Sequence, residues 1–233
     1  MFDKTAQFYD LLYVKGMGKD YTAEVDAMVA RLPSTTTTLL DVACGTGLHL
    51  QHLAAWYRCE GVDLDEGMLA IARQRCPDVP VHVGDMVDFD LGRRFDAIVC
   101  LFSSIGYVRT EERLRSTAAT MARHLEPGGM LLVETWLTPD LWNPGHTSLL
   151  VAEDGPLKVC RMNASGPPVD GCSVVDFHYL IATPEGVEHT TEHHVLGLFT
   201  LDQYRDAFER AGLDTTIDPT GSAMGRPLIT ARS

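Results

Sequence analysis

The segment Asp41-Val42-Ala43-Cys44-Gly45-Thr46-Gly47 constrains the fold more than any other stretch of the chain. It joins a β-prone apolar run, residues 38–43, to a stretch that carries Leu50, Leu53 and Ala54 on one helical face. Glycines at such a junction let the backbone turn tightly and let a ligand come close to the main chain. The first N–H groups of the following helix lack partners within that helix, so they can receive an anion. A strand, a glycine turn and a helix in this order make the first half of a β–α–β crossover.

The downstream sequence repeats the alternation. Residues 60–64 read as a second strand, and Asp65 is placed to cap a helix over 66–75 that stops at Cys76-Pro77. Residues 79–83 form a third strand, closed by Gly84-Asp85-Met86, and residues 95–102 a strongly apolar fourth. Thr110 caps a helix with Leu114, Ala118, Met121 and Leu125 on one side. Glu126-Pro127-Gly128-Gly129 then reads as a turn and residues 130–136 as a fifth strand. Five strands separated by helical crossovers imply a parallel sheet with helices on both faces, and the handedness of the crossovers makes it doubly wound. The expected class is α/β, with a Rossmann-like, mostly parallel seven-stranded sheet. A helix over 202–211, ended by Gly212, and strands near 213–218 and 227–231 complete it.

Two segments stand apart. Residues 1–33 read as an N-terminal helical cap, with Val25, Met28, Val29 and Leu32 at helical spacing and Pro33 as the stop. Residues 147–198 alternate instead: Val174, Asp176, His178 and Leu180 fall on one face, and Val175, Phe177, Tyr179 and Ile181 on the other. Turn signals at Asp154-Gly155-Pro156, Gly166-Pro167-Pro168, Asp170-Gly171 and Pro184-Glu185-Gly186 divide that stretch into about four antiparallel strands. This β insertion after the fifth strand is expected to act as a lid over a second ligand or as the face of a homodimer. The length, 233 residues, suits a single domain over 1–233.

Composition excludes several function classes. The formal net charge is −13, and an acidic surface repels phosphate backbones, so nucleic acid is not the expected partner. No run is apolar for long enough to span a membrane, and the start, MFDKTAQFYD, lacks a basic n-region and a signal-length apolar run. Six scattered cysteines without a CxxC pair read as reduced thiols. The expectation is a cytoplasmic enzyme.

Asp41, Asp63 and Asp85 close three successive strands on one sheet edge, so all three face one crevice. The loop lacks the G-x-G-x-x-G spacing of dinucleotide sites, and it opens with an acid. An acid there suits a cationic ligand. S-adenosylmethionine has an ammonium beside a sulfonium, and an adenosine that two more acids can hold. Tyr9 and Tyr21 of the cap could close over its methionine part.

On these residues the chain resembles the class I S-adenosylmethionine-dependent methyltransferases over about residues 35–136. Asp41, Ala43, Gly45 and Gly47 match the cofactor loop of that family. Asp63, followed by Leu64, matches its ribose-binding acid, and Asp85-Met86 its adenine-contacting pair. The strand through Leu101 matches the one beneath the sulfonium. The resemblance implies the cofactor and a methyl-transfer activity.

A narrower resemblance covers nearly the whole chain. Gly18-Lys19-Asp20-Tyr21, Leu91-Gly92-Arg93-Arg94-Phe95, Phe102-Ser103-Ser104-Ile105-Gly106-Tyr107 and the segments at His178-Tyr179 and Leu198-Phe199-Thr200 are similar to the N,N-dimethyltransferases of dTDP-amino sugars, which make the amino sugars of macrolide antibiotics. It implies a small-molecule acceptor, a dTDP-amino sugar. The chain departs at Glu134-Thr135-Trp136-Leu137, where the family has Glu-Pro-Trp-Trp, and at Met224-Gly225-Arg226-Pro227, where it has Ser-Gly-Arg-Gly. Candidate catalytic residues are Tyr107, Glu134 and His178; candidate acceptor-binding residues are Ser103, Trp136, Arg161 and Arg226. Another small-metabolite amine or hydroxyl remains open as acceptor, as does a nicotinamide oxidoreductase or a non-catalytic cofactor-binding module. No metal is expected, because strand alternation puts His193 and His194, the neighbours of His189 in a histidine-rich stretch, on opposite faces.

Overall fold

The computed structural model describes residues 5–233; residues 1–4 of the expected cap lie outside the described residues. The cap is α1 (Ala6–Leu11), a π-turn over Leu12–Gly16, and α2 (Tyr21–Val29), whose N-cap Asp20 accepts the Ala23 N–H. α2 ends before Pro33 because the chain tightens into a turn, with the Leu32 N–H on the carbonyls of Met28 and Val29.

The main sheet contains β1 (Thr38–Val42), β2 (Arg58–Asp63), β3 (Val81–Val83), β4 (Phe95–Cys100) and β5 (Leu125–Glu134). The helices between them are α3 (Leu48–Leu53), α4 (Glu66–Arg75) and α5 (Glu111–Arg123). Beyond the insertion come α6 (Leu201–Arg210), β10 (Asp214–Asp218) and β11 (Leu228–Arg232). The strand order is β10-β11-β5-β4-β1-β2-β3, parallel except where β11 runs against β5 and β10. The order reverses between β1 and β4. In open α/β sheets ligands bind beyond the carboxyl ends of the strands at such a switch point.

Successive side chains of β1 face opposite ways. Leu40 joins Ile98, Leu131, Tyr204 and Phe208 in a core under α5 and α6, and Leu39 joins Val99, Leu132, Leu50 and Val25 under α2 and α3. Ala54, expected on the buried face after the loop, is exposed: it is the C-cap of α3, past the last helical residue, Leu53. Glu126-Pro127-Gly128-Gly129 is a bulge within β5 rather than a turn before it: the pairing passes from Phe95↔Leu125 directly to Ala97↔Met130. β4 ends two residues early, because Phe102 and Ser103 take left-handed backbone angles, φ 53° and 64°.

The insertion is a four-stranded antiparallel sheet, β6 (Thr147–Asp154), β7 (Leu157–Ser165), β8 (Cys172–Thr183) and β9 (Gly186–Gly197) in sequential order. Its inner face packs Ala152, Val159, Tyr179 and Ile181 against Leu12 of the cap. Its outer face leaves Leu149, Val151, Met162 and Leu180 exposed. No helix among the described residues is long and apolar enough to cross a membrane.

Candidate active site

A cavity of about 1150 Å³ lies beyond β1 and β4, walled by the cofactor loop, the cap and the inner face of the second sheet. That exceeds the roughly 300–1000 Å³ of common ligand pockets, so it has room for two ligands side by side.

One end is built by the loop after β1. Ala43 and Cys44 donate their N–H groups to the Val62 carbonyl, which turns the loop across the end of β2. Gly45 then donates its N–H to Asp63 Oδ2 at 2.8 Å, and Asp65 donates to Oδ1 at the same distance. Burial pushes the Asp63 pKa up, and these backbone donors oppose the rise. Gly47 sits at φ 77°, where a Cβ would come within 3.1 Å of Ala72 Cβ, so a side chain fits neither the angle nor the space. Beneath the loop Asp41 is 1% exposed, and its Oδ2 has no hydrogen-bond partner among the described residues. Burial and the neighbouring Asp63 push its pKa well above the ordinary carboxylate value.

The cap is tied to this end. Asp10 accepts the Thr46 hydroxyl at 2.7 Å and pairs with Arg75, whose guanidinium also reaches the Thr46 carbonyl. Tyr9 packs tilted against Tyr13, with 4.6 Å between ring centroids, and Tyr13 meets Phe102 edge-on at 4.7 Å. Leu64, Asp85 and Met86 line the wall beyond Asp63. Asp85 accepts the Val87 N–H and pairs with Arg113 at 2.8 Å, so its carboxylate is already engaged.

The other end is more aromatic and carries two arginines. Arg161, 6% exposed, donates to the Tyr13 hydroxyl at 2.8 Å and lies over the Phe177 ring at 4.3 Å; among the described residues its Nε has no partner. Arg226 donates to Ser103 Oγ and stacks on Trp136. Trp136 is fixed by its indole N–H on Ser173 Oγ at 2.8 Å. Tyr107 points its hydroxyl at His194 Nδ1, 2.8 Å away.

Several expected residues lie elsewhere. His178 is corrected: the alternation of β8 turns it to the outer, solvent face, where its ring stacks on His189. His194, which the alternation sets apart from His193 without marking it as a site residue, faces the cavity from β9. Ser103 is 1% exposed and is held between Arg226 and the Thr135 carbonyl, so it braces the wall rather than reaching a ligand. Glu134 is buried behind Phe102, whose N–H it accepts at 3.1 Å; its Oε1 has no partner among the described residues, and burial raises its pKa. Tyr21 and Leu101 are buried behind the cavity, Tyr21 beneath Lys19, which pairs with Glu24. Tyr13, missed in the sequence, lies one turn after Tyr9 on the same helical face, a spacing that could have shown it. Among the described residues no group of three or more His, Cys, Asp or Glu could hold a metal ion.

The loop acids fit a cationic ligand: the Asp63 carboxylate lines the wall, and behind it Asp41 Oδ2 has no partner among the described residues. Comparison with known proteins gives the family. A methyltransferase-domain family model matches residues 39–129. The dTDP-3-amino-3,6-dideoxy-alpha-D-glucopyranose N,N-dimethyltransferase of Streptomyces fradiae is 43% identical over 97% of this chain and 89% of its own length. The chain belongs to the N,N-dimethyltransferases of dTDP-amino sugars. Two solved structures share the fold of this methyltransferase throughout. Streptomyces venezuelae DesVI superimposes with a TM-score of 0.92 at 40% identity, covering 97% of each chain. The S-adenosylmethionine-bound amino pentose methyltransferase of Micromonospora echinaspora, involved in calicheamicin biosynthesis, gives 0.87 at 33% identity over 96% of this chain and 95% of that one. The chain is an S-adenosylmethionine-dependent methyltransferase on a class I α/β fold.

Proposed function

We propose that this methyltransferase transfers methyl groups to the amino nitrogen of a dTDP-linked amino-deoxy sugar, as its relative from Streptomyces fradiae is named to do. One observation carries the reading. A chain of net charge −13 lines this cavity with two guanidinium groups, Arg161 buried and Arg226 half-buried, and neither forms an ion pair with a carboxylate among the described residues. Buried cations without acid partners are costly unless a ligand supplies the charge, and a diphosphate supplies it with geometry matched to guanidinium.

S-adenosylmethionine, when bound, supplies an electrophilic methyl group on a sulfonium. Gly45, Asp63 and Leu64 would hold it on the loop side, with Met86 and Asp85 beyond. Asp85 would then share its carboxylate between the ligand and Arg113. The chain's main contribution is alignment: fixing donor and acceptor in reacting geometry is worth up to roughly 7–11 kcal/mol. Trp136 and Phe177 offer apolar faces to a deoxy sugar, and Tyr107 offers a hydroxyl to the amine. The inner face of the second sheet acts as the lid, and we place the reaction in the cytoplasm. Its outer face, with Leu149, Val151, Met162 and Leu180 exposed, is the surface a homodimer would cover, which sedimentation reads directly. Incubation with S-adenosylmethionine and a panel of dTDP-amino sugars, followed by mass spectrometry, tests the acceptor class. Methylation of free amines or of hydroxyl acceptors alone would reject it.

A further inference from the structure

The acceptor end holds a buried chain of polar side chains that alignment alone does not require. Tyr107 Oη lies 2.8 Å from His194 Nδ1, and His194 Nε2 lies 3.2 Å from Glu192 Oε2. Glu192 also accepts the Tyr179 hydroxyl at 2.8 Å and the Thr5 hydroxyl. His194 and Glu192 are two residues apart on the inner face of β9, paired with Val175 and Phe177 of β8. His194 is 1% exposed and packs its ring 4.9 Å from that of Phe177.

An amine acceptor creates a need for such a chain. An alkylammonium, with a pKa of about 10 like that of lysine, has no lone pair at neutral pH. Each methyl transfer leaves an ammonium again, so one proton must leave the cavity for every methyl added. We propose that Tyr107, His194 and Glu192 form the outlet for that proton, with His194 taking it through the Tyr107 hydroxyl. The proposal rests on the amine reading above and adds the route by which the amine is made reactive.

The hydrogen bonds fix the direction of transfer. Burial raises the Glu192 pKa, but the donors on its carboxylate, His194, Thr5 and Tyr179, outweigh that and hold it below the ordinary value. Ionised, Glu192 only accepts, so His194 carries its hydrogen on Nε2 and leaves the Nδ1 lone pair facing Tyr107. The Tyr107 hydroxyl therefore donates to His194, and its oxygen remains free to accept from an amine. Burial pushes the Tyr107 pKa up, so the phenol passes a proton on and does not keep the negative charge. In the step, an N–H bond of the ammonium breaks and its proton binds Tyr107 Oη. The hydroxyl's own proton moves to His194 Nδ1, and the imidazolium is paired with Glu192. The freed lone pair forms the N–C bond as the methyl–sulfur bond breaks, with that electron pair left on sulfur. His194 loses its proton to water when the cavity opens. The titratable and charged groups around the pair are Glu192 on β9, Tyr179 on β8, Arg161 on β7, Tyr9 and Tyr13 of the cap, and Arg109 next to Tyr107.

Two measurements test this. The first is the pH profile of methyl transfer to a dTDP-amino sugar by the wild type and by His194→Gln and Tyr107→Phe. Both variants are expected to lose about 10- to 100-fold in kcat at pH 7, with the deficit shrinking as pH approaches the pKa of the free amine. His178→Gln, on the outer face, is expected to keep the wild-type profile. A deficit that stays constant with pH overturns the relay in favour of a packing role. The second is nitrogen-15 NMR of His194 in the enzyme without acceptor. A proton on Nε2 supports the relay, and a proton on Nδ1 overturns it. A wild type that leaves amino sugars unmethylated overturns the acceptor reading instead, and the NMR result still decides the relay.

Discussion

Asp63 Oδ2 accepts the Gly45 N–H at 2.8 Å, so the acid at the end of β2 also closes the loop at the end of β1. A hydrogen bond to a charged group is worth about 1.5–3 kcal/mol, so Asp63→Asn, which keeps the shape and removes the charge, should weaken S-adenosylhomocysteine binding roughly 10- to 100-fold. Calorimetry reads this directly. An unchanged Kd would reject both the loop-closing and the ligand-holding role.

Asp41 predicts an opposition between stability and binding. Its pKa is raised in the folded chain above the ordinary value of 3.8, so the folded state holds the proton more tightly than the unfolded one. The wild type therefore loses stability, relative to Asp41→Asn, as pH rises from 3.8 to the folded value; above that the difference is constant. Asparagine has no charge to bury, so at pH 7 the variant should melt higher than the wild type, with that gain gone below pH 3.8. The same variant should bind S-adenosylhomocysteine more weakly. Thermal melts across pH give the first result and calorimetry the second.

Arg161 predicts a separation of the two ligands. Arg161→Met removes a buried cation whose Nε has no partner among the described residues. The acceptor KM should rise about 10- to 100-fold, the cost of losing a charge-assisted hydrogen bond. The Kd for S-adenosylhomocysteine should not change, and the melting temperature should not fall. An acceptor KM within about twofold of the wild type would move the diphosphate away from Arg161.

Gly106 tests the acceptor wall sterically. A Cβ there would come within 2.8 Å of Trp136 Cβ and 3.2 Å of Leu196 Cβ. Gly106→Ala should push Trp136 off its bond to Ser173 and raise the acceptor KM, with cofactor binding unchanged. Loss of indole protection in hydrogen exchange would locate the effect at Trp136.

The sheet, its loop and its insertion were legible because they follow periodicity. Residues 38–43 alternate into two cores, and 172–183 show one buried face in two. The end of β4 was not legible: nothing in an apolar run announces that Phe102 and Ser103 turn left-handed, and that turn puts Phe102 in front of Glu134. The same limit applied to the histidines. Alternation separated His193 from His194, but which of the two faces points inward depends on how the second sheet docks on the cap through Leu12 and Tyr179. His178 therefore fell outside and His194 inside. Tyr13 and Arg161 meet across 148 residues, a contact that no local pattern encodes.

The central claim is methyl transfer from S-adenosylmethionine to the amine of a dTDP-linked sugar. Mass spectrometry of that sugar after incubation with enzyme and cofactor tests it most directly. The account predicts a product heavier by one and then two methylene units, with both additions lost when the amine is replaced by a hydroxyl. An amino sugar nucleotide that keeps its mass across the panel, while S-adenosylhomocysteine still binds, would contradict it.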